Sequence, residues 1–353
     1  MKDDILNLPP LTQQNFDFDA DLTYDEAAQY NALLGDAQKL RMELESHRAT
    51  AADLQKLMAM LQRMQQMLVS PLLATKGAEY FKKNTICYSQ AASRETGSLR
   101  ALYERIKVRQ AEGHNRIMVA ACHVTIMKIA KEYLQNKEPG LAEIFTYDGT
   151  QNLNQRQAEK RAFLTAPKSI LFLSIGAGGT GLHLVPGCNC GIFWGSRPFS
   201  PAQNWQTAKR LHRIGQDYEV FIDHLIPHGG VDFAIDKVHV DKAGLAGAVV
   251  DDDWSHFDDE GGNWKKTGRI VDNCAKMQEN GNFPPPPKPM EMEGEAGPSG
   301  AAGPSAPYVP PAGPPLVVGF ALGPAVMEAQ APPNAADLLA AAEAMQAQAL
   351  PPL

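Results

Sequence analysis

The chain has 353 residues and a formal net charge of −7, and 44% of its residues are hydrophobic. This length allows one or two globular domains whose core needs no disulfide or metal for stability. No apolar run approaches the roughly 20 residues that cross a bilayer, and the N-terminus lacks the layout of a signal peptide. We therefore expect a soluble intracellular protein with no membrane partner.

Two segments near the N-terminus, 24–44 and 53–68, carry apolar residues at helical spacing, and Pro71 ends the second of them. A third amphipathic helix is predicted over 99–110. Short apolar strands then alternate with helices. The predicted strands are 117–121, 144–147, 170–173, 190–194 and 218–225, and the helices between them are 124–134, 155–164 and 201–211. This alternation predicts an α/β fold, a parallel sheet with helices on both faces and a helical extension at its N-terminus.

The last part of the chain has a different composition. Residues 284–353 hold 17 of the 26 prolines and carry one lysine against six acidic residues. Such a segment buries too little apolar surface to offset its ordering entropy, so we predict a disordered tail rich in Pro, Ala and Gly. An alanine-rich stretch within it predicts a short helix at 335–349, with or without a docking partner.

The loops after the strands are where ligands of a parallel sheet bind. One of them, Gly176–Gly181, matches G-x-G-x-x-G, but Pro186 follows too soon for the helix that a dinucleotide site requires. No acidic residue stands where a ribose would be held, so a nicotinamide cofactor is not expected. What remains is a loop whose backbone amides can approach phosphates closely.

A basic helix follows the fourth strand. Gln206 and Arg210 lie four residues apart and share a face, and Arg210 and Arg213 can reach one anionic centre from the same side. The planar fork of arginine suits phosphate oxygens. Judged on spacing alone, however, such a pair is more often a solvated surface.

The five cysteines are odd in number and irregularly spaced, which is typical of free thiols in a reducing compartment. Cys188 and Cys190 lack a second pair of ligands for zinc. We predict no metal site.

Three segments together resemble a known family. Gln206–Gln216 (QTAKRLHRIGQ) is similar to the sixth motif of the Swi/Snf-type helicase-like ATPases of helicase superfamily two. Ser174–Leu184 (SIGAGGTGLHL) resembles their fifth motif, and Tyr147–Thr150 (YDGT) resembles their fourth. Met64–Pro71 is a weakened copy of another family segment, Leu-Arg-Gln-x-Cys-x-His-Pro. The resemblance covers residues 1 to about 250 in the expected order.

The resemblance implies a second RecA-like lobe with two kinds of site residue. Arg210 and Arg213 would be arginine fingers that reach the γ-phosphate of ATP on a first lobe. The cleft would also involve Gln206, Gly181 and Gln216. The duplex DNA backbone would be contacted by Thr150, Ser174, Gly178 and Gly179.

Some residues depart from the family pattern. His183 replaces the usual Asn, Ala121–His123 stands where Ser-Gln-Phe is common, and Phe199–Ser200 replaces Trp-Asn. These departures weaken the transfer of DNA contacts in the fourth and fifth motifs. They leave both arginines in place.

The phosphate-cradling motif of such motors is not in this sequence. G-x-x-x-x-G-K-[ST] does not occur, nor does any Gly-Lys pair. Asp25 and Glu26 are interpreted as the acidic first turn of a helix rather than a magnesium box. ATP and Mg²⁺ are thus expected only together with a first RecA-like lobe, in cis or in trans. Neither is expected to bind to this chain alone, which would not hydrolyse ATP by itself.

Three explanations stay open for a chain that resembles only the second lobe of such an ATPase. The chain could be the C-terminal product of a split gene, a free-standing module that binds DNA or a partner without catalysis, or an unrelated α/β phosphate-binding enzyme. The family is one of ATP hydrolases, but whether this chain is itself an enzyme is not decided by its residues. Reading upstream of Met1 for the missing motif separates the first two.

The expected organisation has four parts. They are a lead-in and helical protrusion (1–97), the RecA-like lobe (98–245), an acidic linker (246–283) and the tail (284–353). The resemblance implies a nuclear protein of chromatin remodelling or DNA repair, with duplex DNA and possible nucleosomal substrates. Residues 1–283 contain 32 basic and 34 acidic residues, so DNA binding should be local, weak and salt-sensitive.

Overall fold

The computed structural model describes residues 8–46, 50–176, 182–238 and 262–279. Several sequence predictions lie outside these ranges. They are the tail with its helix at 335–349, the acidic stretch 251–260, and the glycines 178, 179 and 181 of the fifth motif.

Helices and strands alternate along most of the described chain. The strands are β1 (Leu11–Phe18), β2 (Arg116–Ala121), β3 (Glu143–Tyr147), β4 (Ser169–Ser174), β5 (Cys190–Phe193) and β6 (Val220–Pro227). The first helices are α1 (Tyr24–Ser46), α2 (Ala51–Val69), α3 (Pro71–Lys76), α4 (Ala78–Lys83) and α5 (Ile86–Ser93). The remaining helices are α6 (Gly97–Ala111), α7 (Val124–Lys137), α8 (Leu153–Thr165), α9 (Pro201–Ala208) and α10 (Gly262–Glu279), and residues 231–238 are also helical.

The six strands form one sheet in the order β1-β6-β5-β2-β4-β3, and every pair is parallel. Strands β4 and β5 are buried along their whole length, as expected for a parallel sheet covered on both faces. The predicted α/β fold is therefore confirmed. Strand β1 is a finding of the structure, because the sequence indicates only a lead-in there. Its residues LTQQNFDF are half exposed, since it is an edge strand paired with β6 alone.

Alternation along the inner strands divides the core into two layers. On β2, Ile117 and Val119 face a cluster that includes residues of α5, α6 and α7. Met118 and Ala120 face the opposite layer, where Phe163 of α8 packs. This second layer also holds Leu182, Leu184, Ala208 and Leu211, so it supports the segments of the fifth and sixth motifs from below.

A separate core joins the N-terminal helices to the C-terminal end of the described chain. Leu34 of α1 and Leu61 of α2 belong to one buried cluster with Ile235 and with Ile270 and Cys274 of α10. Arg41 of α1 pairs with Asp272 of α10 at 3.2 Å. Helix α10 thus packs on α1, although the sequence analysis assigns these residues to an acidic linker. The apolar stripe of α10 is short and follows an acidic stretch, so the average composition of 246–283 does not indicate a packed helix.

Candidate functional site

The carboxyl ends of the parallel strands bring the candidate loops together. Ser174 at the end of β4 is in register with Ala121 at the end of β2. The amide of Ile175 donates to the Ala121 carbonyl at 3.0 Å, and the amide of Trp194 donates to the Ala120 carbonyl at 2.9 Å. The segments that follow β2, β4 and β5 therefore start side by side, as the rule for such sheets predicts.

The fourth-motif loop is organised by a buried carboxylate. Asp148 accepts hydrogen bonds from the Thr150 amide at 2.7 Å and from its hydroxyl at 2.5 Å. Asn152 then caps α8 in a reciprocal pair with Gln155. Thr150 is exposed, but both of its donors are used within the loop. Thr150 could donate a hydrogen bond to a phosphate only if its bonds to Asp148 were broken.

The sixth motif forms a helix followed by a tight turn. Helix α9 begins with Pro201 and ends at Ala208, three residues earlier than the predicted helix. The amides of Arg210 and Leu211 donate to carbonyls three residues back, each at 3.0 Å. Gly215 has φ +93°, a conformation that favours glycine. Both arginines therefore lie on the turn rather than on the helix.

His212 anchors this turn to the segment before β1. The ring is buried, and Nε2 lies 2.7 Å from the carbonyl oxygen of Pro9. Because a carbonyl only accepts, Nε2 carries the proton and Nδ1 is left to accept from Lys209 Nζ at 3.1 Å. The histidine of the motif is thus a structural link within the lobe.

Gln216 is also directed inwards. Its side chain is buried, and Nε2 donates to the carbonyls of Cys188 at 2.9 Å and Leu211 at 3.0 Å. Its Oε1 accepts from the Tyr218 amide at 3.3 Å. The amide group thereby braces the turn from within, whereas the resemblance places it at a nucleotide cleft. Spacing along a chain cannot tell which side of a turn a residue faces.

The remaining residues of the sixth motif differ in exposure. Gln206 and Arg213 are exposed, and Arg210 is partly buried. Beside the turn, His183 is exposed between the buried Leu182 and Leu184. The pKa of His183 is lowered, first by the charge of Arg213, then by desolvation, and then by Lys160 of α8 and Arg210. The segment that carries His183 also packs against the turn, because a Cβ on Gly215 would lie 3.9 Å from the Val185 side chain.

Lys160 is the member of this group that sequence reasoning missed. It lies on α8, which the chain places between β3 and β4, about 50 residues before the arginines. Nothing in its local sequence marks it as part of a site, because exposed-face lysines are common on helices. Only the packing of α8 beside the 182–184 segment brings it to the cluster.

A buried polar network lies behind the loop after β5. Gln65 Nε2 of α2 donates to Asp232 Oδ1 at 2.6 Å and to the Arg197 carbonyl at 2.8 Å. The Arg197 amide donates to the same Asp232 oxygen at 2.7 Å, and its guanidinium pairs with Asp236 at 2.8 Å. Burial raises the pKa of Asp232 to about 6, against the lowering effect of these partners. The network joins α2 to the loop that precedes the sixth motif.

Within the described ranges, no group of three or more His, Cys, Asp or Glu side chains is placed to hold a metal ion. All five cysteines are free thiols. The described helices include none that is both long and apolar enough to cross a membrane.

Comparison with known proteins identifies a domain within the chain. Residues 97–215 match the helicase conserved C-terminal domain. Human DNA repair and recombination protein RAD54B is 27% identical over 187 residues, which cover 52% of this chain and 19% of the relative. DNA repair protein RAD5 of Yarrowia lipolytica is 32% identical over 109 residues, which cover 30% and 10%. The chromatin-remodeling ATPase INO80 of Gibberella zeae is 28% identical over 186 residues, which cover 52% and 9%. The chain thus spans a fifth or less of these relatives.

Two solved structures share the fold. The C-terminal part of the Fun30 ATPase domain superposes with a TM-score of 0.55 at 18% identity, covering 77% of this chain and 99% of that one. The Sulfolobus solfataricus SWI2/SNF2 ATPase core in complex with dsDNA gives 0.51 at 20% identity, covering 78% and 50%. The domain match, the relatives and the fold agree with the three motifs. Residues 97–215 are therefore a helicase conserved C-terminal domain, and the chain is similar in sequence and fold to the C-terminal RecA-like lobe of Swi2/Snf2-type helicase-like ATPases.

Proposed function

We propose that this chain acts as the C-terminal lobe of a DNA-dependent ATPase or translocase of the chromatin-remodelling or DNA-repair type. In this role Arg210 and Arg213 complete a nucleotide site whose phosphate cradle belongs to a first RecA-like lobe, in cis or in trans. ATP and Mg²⁺ bind at the joint site, and neither binds to this chain alone. The observation that carries the proposal is the exposed Arg213 near Arg210 on a turn that His212 and Gln216 fix from inside.

The chemistry needs a rigid turn. Charge builds up on the phosphoryl oxygens in the transition state, and preorganised guanidinium groups neutralise it without the cost of reorientation. Arginine fingers of this kind contribute about 10³ to 10⁵ in rate. The inward hydrogen bonds of His212 and Gln216 hold the backbone on both sides of Arg213. Only the Arg213 side chain then has to become ordered when it contacts the phosphate.

Duplex DNA is the proposed second ligand. The solved SWI2/SNF2 core is described as a complex with dsDNA, and the relatives are named as DNA repair and chromatin-remodeling proteins. The DNA backbone would run along the loops after β3 and β4, near Thr150 and Ser174 and the glycines 178 and 179. A nuclear location and nucleosomal substrates are part of the same proposal.

Arg213→Gln tests the arginine role in a chimaera that places the first lobe of human RAD54B before this chain. The variant should lower DNA-stimulated ATP hydrolysis about 10³-fold or more, because glutamine supplies no charge to the transition state. Arg63→Gln is the matched control, since Arg63 is an exposed arginine of α2 in the helical protrusion. Equal hydrolysis by the two variants would contradict the role of Arg213.

A non-catalytic module that binds DNA or a partner is the second candidate. The observation that favours it is that G-x-x-x-x-G-K-[ST] does not occur in this sequence. It predicts duplex binding by this chain without any dependence on nucleotide. The third alternative, an unrelated α/β enzyme, is withdrawn because the family match identifies residues 97–215.

A further inference from the structure

His183 occupies a defined place beside the sixth motif. Its neighbours Leu182 and Leu184 are buried in the layer that also contains Ala208 and Leu211. A Cβ on Gly215 would contact Val185 at 3.9 Å, so the segment and the turn pack directly against each other. Since both leucines point into the core, the imidazole between them is left exposed on the outer side. The packing therefore holds the ring next to the turn that carries both arginines.

Among the described residues, the charged groups that act on this imidazole are all cationic. Arg213 has the largest effect, and Lys160 of α8 and Arg210 act in the same direction. The ring's own segment supplies only leucines at positions 182 and 184. Like charges disfavour an imidazolium, so the pKa of His183 lies below its ordinary value and the ring is neutral at pH 7. We call Lys160, His183, Arg210 and Arg213 the cationic cluster.

We propose that His183 makes the affinity of the cationic cluster for a phosphate group depend on pH, by taking up a proton from solvent as the anion binds. The inference rests on the proposed function, in which Arg210 and Arg213 meet a phosphate. Asparagine, the usual residue of the family at this position, has a side chain that does not take up a proton in this pH range. The proton linkage is therefore specific to the histidine of this chain.

The physical argument follows from charge balance. A phosphate among the cations offsets their repulsion, so an imidazolium becomes favourable and both ring nitrogens can donate to oxygen. Because the bound state holds more protons than the free state, affinity rises as the pH falls from 8 towards 6. One linked proton limits this rise to about tenfold per pH unit.

The source of the phosphate is either a nucleotide or a DNA backbone, and both present the same tetrahedral oxyanion. The test is an NMR titration of the ring signals of the nine histidines in the full chain. The first comparison is sodium sulfate against sodium chloride at matched ionic strength. Two further arms use tripolyphosphate and a short DNA duplex. His183→Asn removes one signal and so assigns it, and His228→Asn is the control at an exposed histidine outside the cluster.

In chloride we expect the His183 signal to titrate below its ordinary pKa of about 6.5. Sulfate should raise that midpoint by about half a unit or more, as opposite charges do at short range. Arg213→Gln should raise the midpoint in chloride and shrink the response to sulfate. Movement with tripolyphosphate assigns the site to nucleotides, and movement with duplex alone assigns it to DNA. A midpoint that none of the anions moves overturns the inference.

This result is separable from the test of the proposed function. If the titration is flat while Arg213→Gln still abolishes hydrolysis in the chimaera, the proton linkage is wrong and the arginine role stands. If the titration responds while hydrolysis is indifferent to Arg213, the cluster is an anion site without the proposed catalytic role.

Discussion

At Asp232, a single buried carboxylate makes the stability of the fold depend on pH. The residue is 2% exposed and accepts from Gln65 and from the Arg197 amide. Burial raises its pKa from 3.8 to about 6. The native state therefore holds a proton that the unfolded chain has already released between about pH 4 and pH 6. Stability from this group falls as the pH rises through that window.

Asp232→Asn tests this assignment. Asparagine keeps the oxygen that accepts both hydrogen bonds but carries no charge. The free energy of unfolding of the variant, relative to the parent, should increase by about 2 to 3 kcal/mol between pH 4 and pH 8. Urea denaturation at several pH values measures this difference, with exposed Asp217→Asn as the control. A difference that stays constant with pH would show that Asp232 is not protonated in the native state at pH 5.

Spacing marks Arg210 and Arg213 as a pair of cations, but only the resemblance of residues 206–216 to the sixth motif predicts a role for them. The structure confirms neither their catalytic role nor the DNA contacts, which stay predictions. Sequence could not reveal the inward roles of His212 and Gln216, since their partners are backbone carbonyls of Pro9, Cys188 and Leu211. Such partners leave no signature in side-chain patterns.

Among the elements, α6 starts where its backbone lies close to the segment that leaves β1. Gly97 is its first residue, and Thr96 caps it by accepting from the Leu99 amide at 3.4 Å. A Cβ on Gly97 would lie 1.7 Å from the carbonyl oxygen of Asp19. The chain that leaves β1 therefore crosses the start of α6, and the absence of a side chain lets β1 pair with the sheet edge.

Two glycine substitutions distinguish the steric effect of the Asp19 contact from the effect of alanine on helix propensity. Gly97→Ala should lower the free energy of unfolding by about 3 kcal/mol, because backbone must move to admit the methyl group. Gly35→Ala should raise it by about 0.5 to 1 kcal/mol, since Gly35 lies within α1 and a Cβ there meets nothing within 4 Å. Urea unfolding followed by circular dichroism measures both. Similar stability of the two variants would contradict the crossing at Asp19.

Elements with strong periodicity were predictable, and those defined by tertiary contacts were not. The inner strands and the helices α1, α2, α6, α7 and α8 follow their apolar patterns to within a few residues. Strand β1 is polar because it lies at an edge, and α10 has only a short buried stripe against α1 and α2. Helix α9 ends early because its following residues turn to bring Leu211 into the core.

For the whole molecule, the sequence indicates one lobe of a two-lobed motor, and the parallel sheet agrees. The carboxyl edge of the sheet holds the fourth-motif loop and the start of the fifth motif, whereas the turn of the sixth motif contacts residues just before β1 and β5. The cationic cluster lies where the segment after β4 meets this turn. The cationic cluster supplies positive charge for a phosphate. The phosphate-binding motif G-x-x-x-x-G-K-[ST] does not occur in this sequence. The proposed function therefore requires an ATPase site that is divided between two lobes.

The most direct test is DNA-stimulated ATP hydrolysis, measured in one assay for the full chain alone and for the chimaera with the first lobe of RAD54B. The account predicts no turnover above background for the chain alone, with or without duplex DNA, and stimulated turnover for the chimaera. Stimulated hydrolysis by the chain alone, lost on Arg213→Gln, would contradict the division of the site between two lobes.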